Sequence, residues 1–142
     1  MIQHVWSVLS SRSVIDQDNN NVSLQNVLEQ LVILQELKPR GRIMCPMQLT
    51  TLWCRVDNDV SAEGRARVTL VSPTGEEFGS AEYAVDLSIA PRHRQRTNFD
   101  FLPVDMLGRY VFIVEQQAED AQWQSEAVIP LQVLQKLEET AE

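Results

Sequence analysis

Apolar and polar residues alternate along this chain over short runs, and clusters of turn-forming residues cut the runs apart. A period of two is that of a strand with one buried face. Ala66, Val68 and Leu70 alternate with Arg65, Arg67 and Thr69. Thr97, Phe99 and Phe101 alternate with Asn98 and Asp100. The separators are Asp16-Gln17-Asp18-Asn19-Asn20-Asn21, Lys38-Pro39-Arg40-Gly41, Asp57-Asn58-Asp59, Ser72-Pro73-Thr74-Gly75 and residues 118–122. Asp, Asn and Gly tolerate the backbone angles of tight turns, and Pro presets one of them. Short strands at even spacing predict an all-β chain, an antiparallel β-sandwich of seven to nine strands.

Several segments need more than the period. Leu24, Val27, Leu28 and Leu31 fall at helical spacing, yet Val22, Leu24, Leu28, Val32 and Leu34 share strand parity. Strand over residues 22–34 is the preferred reading, with a bulge near Asn26, and helix is the alternative. Residues 43–56 read as one long strand whose pairing starts after Pro46, because proline offers no N–H to a ladder. Residues 65–71 and 78–89 read as a hairpin, residues 90–95 as a polar, basic loop, and residues 123–134 as the last strand. The expected core draws on Trp6, Val8, Leu24, Leu28, Leu49, Leu52, Trp53, Val68, Leu70, Phe99, Phe101, Tyr110, Phe112, Val114 and Ile129. Residues 1–135 are expected to form one domain and residues 136–142 an acidic tail.

Charge narrows the partners. Twelve Lys and Arg stand against twenty Asp and Glu, a net charge of −8. Nucleic acids and anionic membranes need basic surface, so neither is expected as a partner. No apolar run approaches the ~20 residues that span a bilayer. The start, MIQHVWSVLSSR, lacks the basic residues and unbroken apolar run of a secretory signal. Cys45 and Cys54 lie nine residues apart on one extended segment, ~30 Å at strand rise, too far for a disulfide. Two unpaired thiols fit a reducing cytoplasm.

Asp105-Met106-Leu107-Gly108-Arg109-Tyr110 resembles the tyrosine corner of immunoglobulin-type sandwiches. There the Tyr hydroxyl bonds back to upstream backbone while its ring packs inward. The cysteine pair that bridges the sheets of antibody domains is missing, and residue 112 is Phe. The resemblance therefore implies an immunoglobulin-like fold and not an antibody-type domain. The whole chain also resembles a family of small bacterial proteins. The matching stretches are Val22-Ser23-Leu24 with Val27-Leu28-Glu29-Gln30, Val71-Ser72-Pro73-Thr74-Gly75, and Gly108-Arg109-Tyr110-Val111-Phe112. That resemblance implies a single β-sandwich domain and no particular chemistry.

Candidate sites are few. Asp16, Asp18 and Asn20 open like a calcium loop, but the positions that need Gly and Glu hold Asn21 and Val27. Asp57 and Asp59 form a second carboxylate pair. Both are candidates for weak calcium binding, against the plainer reading of solvated turns. Arg92, His93, Arg94 and Arg96 form the one dense basic cluster, suited to an anion or a partner carboxylate. His4 and His93 have no zinc spacing, and no nucleophile elbow or phosphate loop occurs. No cofactor and no catalysis are expected. The leading expectation is a non-enzymatic cytoplasmic interaction module, binding a protein partner or a second copy through a sheet edge. The alternative is a small-ligand, anion or calcium-binding domain that uses its end loops.

Overall fold

The computed structural model describes residues 1–34 and 36–136. The acidic tail beyond residue 136 lies outside the described residues. Nine strands form in chain order: β1 (Gln3–Ile15), β2 (Val22–Val27), β3 (Gln30–Ile33), β4 (Arg42–Cys54), β5 (Ala62–Val71), β6 (Glu77–Leu87), β7 (Arg92–Pro103), β8 (Gly108–Gln117) and β9 (Trp123–Gln135). They make a four-stranded sheet in the order β2-β1-β4-β7 and a five-stranded sheet in the order β3-β9-β8-β5-β6. Among the described residues no helix is long and apolar enough to cross a membrane.

The inner faces of the two sheets supply the core. Trp53, Leu49 and Met47 from β4 meet Tyr110, Phe112 and Val114 from β8, with Val68 and Val85 beside them. Phe99 of β7 stands edge-on to Phe112, ring centres 5.2 Å apart. Phe112 stands where the second cysteine of an antibody domain would fall. Tyr110 Oη donates to the Met106 carbonyl at 2.9 Å, which makes the expected corner. Gly108 takes φ +132° there, and a Cβ on it would meet the Pro73 ring at 3.0 Å. Pairing of β4 with β7, and the run β9-β8-β5-β6, reproduce the B–E and G–F–C–C′ neighbours of an immunoglobulin sandwich. Two strands of that scheme, C″ and D, have no counterpart among the described residues. D, which would flank β7, is skipped, because β6 passes to β7 through residues 88–91 alone.

Five expectations need correction. The sheets are not wholly antiparallel, since β3 runs parallel to β9. Residues 22–34 are two strands, not one. Asn26 adopts φ +55°, the Leu28 N–H bonds to Leu9, and the Gln132 N–H bonds to Glu29, so the chain steps from one sheet to the other. Pairing of β4 with β7 begins at Arg42, ahead of Pro46, and an irregularity between Met44 and Met47 absorbs the proline. The supposed loop at residues 90–95 is strand from Arg92 onward. The core expectation fails at Leu24 and Leu52, which lie outside the core cluster, and at β1, where a bulge between His4 and Trp6 inverts the alternation. Ile2, His4, Ser7 and Leu9 face inward, while Trp6 and Val8 lie outside, level with Leu52 and Thr50. Phe101 is likewise outside the core, 41% exposed.

Candidate functional site

Strand geometry sorts the basic cluster. Alternate residues of β7 face opposite sides. Arg92, Arg94 and Arg96 lie opposite Cys54, Leu52 and Thr50, on the outer face of the four-stranded sheet. His93 lies opposite Trp53 and turns inward, where its Nε2 meets Gln95 Oε1 at 3.0 Å. The structure therefore brings three arginines together and removes the histidine from them.

The β1–β2 hairpin folds over that outer face. Arg94 Nη2 donates to the Asn20 carbonyl at 2.6 Å. Arg96 Nη1 reaches Ser13 Oγ at 3.5 Å, and Ser13 Oγ donates to Gln48 Oε1 at 2.7 Å. This cover explains why Ser10 and Thr50, on the outside of a sheet, are fully buried. A cleft of about 390 Å³ remains between hairpin and sheet, lined by Trp6, Asn20, Asn21, Val22, Leu52, Arg92 and Arg94. Thr50 Oγ1 and Arg94 Nε, both on this face, are buried without a hydrogen-bond partner.

Asp16 and Asp57 cap their own turns, while Asp18 and Asp59 contribute their backbone N–H groups to them. Asp16 Oδ1 accepts the N–H groups of Asp18 and Asn19, and Asp57 Oδ1 accepts that of Asp59. The Asp57 turn is tied elsewhere. Arg55 donates to the carbonyls of Leu87, Asn58, Ser88 and Ile89, locking it to the β6–β7 turn. Among the described residues no three His, Cys, Asp or Glu side chains are grouped as a metal site needs.

A polar chain that the sequence does not announce crosses the interior. His4 Nε2 meets Ser7 Oγ at 2.7 Å, and Ser7 Oγ meets Thr51 Oγ1 at 2.8 Å. Thr51 bonds in turn to the Tyr83 hydroxyl, which accepts Trp53 Nε1 at 3.0 Å. Burial pushes the His4 pKa below its ordinary value, with Glu126 opposing in part. Burial likewise raises the Tyr83 pKa. Ser7 is spent on Thr51, and the chain links β1 and β4 to β6 rather than opening onto a cleft.

The remaining feature is the side where β6 and β7 form the free edges of the two sheets. A slot of about 390 Å³ opens between them. Val68, Leu70, Phe78, Phe99 and Phe101 line it, together with polar Ser80, Asn98 and Asp100. The Arg42 guanidinium lies over the Phe101 ring, 5.2 Å from its centre. Sequence alternation marks Phe99 and Phe101 as apolar but cannot show that, among the described residues, no strand lies beyond β7. Outside the slot, β6 presents Glu82 and Asp86 and β7 presents its arginines. No family model matches this chain, and no curated protein matches it.

Proposed function

We propose that this chain is a non-enzymatic cytoplasmic interaction module that takes a partner strand on its β6–β7 side. One observation carries the proposal: a twelve-residue strand, β7, pairs on one side only and stands beside an apolar slot. An unpaired strand edge supplies backbone donors and acceptors for an added strand, and neighbouring pockets supply selectivity. Among the described residues none takes the place of strand D. The proposal also sets the chain among the small bacterial single-sandwich proteins that its 71–75 and 108–112 stretches resemble.

The test is a photo-crosslinking amino acid placed in turn at Asn98 and Ser80, on the open side, and at Ser23 and Gln124, exposed elsewhere. In cell lysate the first two positions are expected to give a discrete adduct and the last two none. Equal yield at all four, or none at the first two, contradicts the proposal.

A second reading has its own support. Arg94 Nε is buried and unpartnered beside a cleft that Arg92 also lines, which suits a small anion. Millimolar inorganic phosphate should then raise the melting temperature, and Arg94→Ala should abolish the rise. No shift with the wild-type chain dismisses the anion site.

A further inference from the structure

Resting on that reading of the open side, we propose that its occupant is a second copy of this chain. In this dimer β6 of each copy pairs antiparallel with β7 of the other about a twofold axis parallel to the strands. The geometry comes from the short 88–91 connection, which keeps the end of β6 and the start of β7 at one end of the molecule and runs the two strands in opposite directions. A twofold axis along the strands preserves level and direction. It therefore brings β6 alongside the second copy's β7 with residue numbers in an antiparallel register. For the outer faces to continue across the seam, outward residues of β6 must stand beside outward residues of β7, and one such register, a single residue from level ends, sets Asp86 beside Arg92 of the second copy, Ala84 beside Arg94, Glu82 beside Arg96 and Ser80 beside Asn98.

Every one of these residues lies on the outer face of its strand. Glu82, Ala84 and Asp86 are exposed while Tyr83, Val85 and Leu87 between them turn inward. Arg92, Arg94 and Arg96 share the outer face of β7. The register thus places two carboxylates against two guanidinium groups, and the twofold axis repeats both pairs. Opposite charges across neighbouring strands attract, and like charges directly opposite repel. Pairing β7 with β7 about Arg94 would face three arginines with three arginines. Pairing β6 with β6 about Ala84 would face Glu82 with Asp86 on both sides. In these registers the mixed pairing is the attractive one.

Two further features fit. The exposed Arg65–Glu82 ion pair, 3.4 Å, is weak enough to share its carboxylate with another guanidinium. The slot carrying Phe78, Phe99 and Phe101 lies beside the same two edges, so a second copy would cover apolar surface as well as join strands. Because the arrangement consumes both edges, it closes at two copies and does not grow into a fibre.

The experiment is light scattering over the micromolar range with two charge-reversed proteins, Arg92→Glu/Arg96→Glu and Glu82→Arg/Asp86→Arg. Wild type is expected at twice its 16.2 kDa mass, with the dimer weakened by high salt. Each reversed protein alone is expected to be monomeric, weakened about tenfold or more by like charges in register. An equimolar mixture of the two should dimerise again, since both pairings in the mixed dimer are then opposite in sign. Recovery on mixing also shows that both proteins are folded. A reversed protein that still dimerises, or a mixture that stays monomeric while both melt cooperatively, overturns the proposal. A wild-type monomer that still crosslinks to a different protein at Asn98 overturns self-pairing and leaves the open-side reading standing. A monomer with no adduct there removes both.

Discussion

His4 shows how much one position can decide. Its imidazole sits between Ser7 and the edge of the Trp53 ring, 5.4 Å centre to centre, and burial holds it neutral. The unfolded chain binds a proton at the ordinary 6.5, the folded chain only at lower pH. Its contribution to stability is therefore complete above pH 6.5 and lost as pH falls through 6.5 toward the depressed folded value. Urea melts between pH 7.5 and 5 should show that decline, and His4→Gln should flatten it; an unchanged slope would refute the assignment. Tyr110 offers a second test. Removing its hydroxyl strands the Met106 carbonyl, and Tyr110→Phe should cost about 1–2 kcal/mol by the same melts. The Tyr110 hydroxyl was legible in the Asp-x-x-Gly-x-Tyr spacing because the corner is local. The faces of Trp6 and Val8 were not. Ile2, His4, Trp6 and Val8 share one parity in sequence, and the bulge that divides them depends on how β1 docks against β4, which no neighbouring residue signals.

At the scale of elements, turns with local chemistry were readable and changes of partner were not. Ser72-Pro73-Thr74-Gly75 closes as expected, with Ser72 Oγ accepting the N–H groups of Thr74 and Glu76 and Gly75 at φ +88°. Gly108 belongs to the same region. Gly108→Ala would force a Cβ onto Pro73 at a left-handed φ, and should lower the stability measured in urea by about 1–3 kcal/mol. Asn26 was marked as an irregularity, yet the move from one sheet to the other at residues 28–29 follows from what Leu9 and Gln132 offer across the fold. Arg92 begins a strand although its neighbourhood is polar, because Cys54 and Trp53 of β4 provide a ladder to join. The hairpin arm of β1 beyond Ser10 pairs only with β2. Amides at residues 11–27 should therefore exchange with deuterium faster than those of β4, β5 and β8, which are flanked on both sides; equal protection would show that the hairpin is part of the central fold.

On the scale of the whole molecule, the nine strands of the described residues leave four edges, and they are not equivalent. β2 and β3 are short, six and four residues, while β6 and β7 are eleven and twelve residues long and lie on one side. Short edges discourage pairing, and long ones invite it unless charge prevents it. Here charge discriminates, acidic on β6 and basic on β7, so like edges repel and unlike edges fit in register. Alternation and turn spacing made the sandwich legible. The candidate arginines were also legible, but not their arrangement, since grouping three of them on one face while turning His93 away requires the strand. The vacant place beside β7 could not be read at all, because it arises from a connection of four residues that omits a strand. The most direct measurement is amide exchange on the wild-type chain at low and high protein concentration. Protection should rise with concentration over residues 77–87 and 92–103 and stay constant over 22–27 and 30–33. Rates on β6 and β7 that do not depend on concentration would contradict the account.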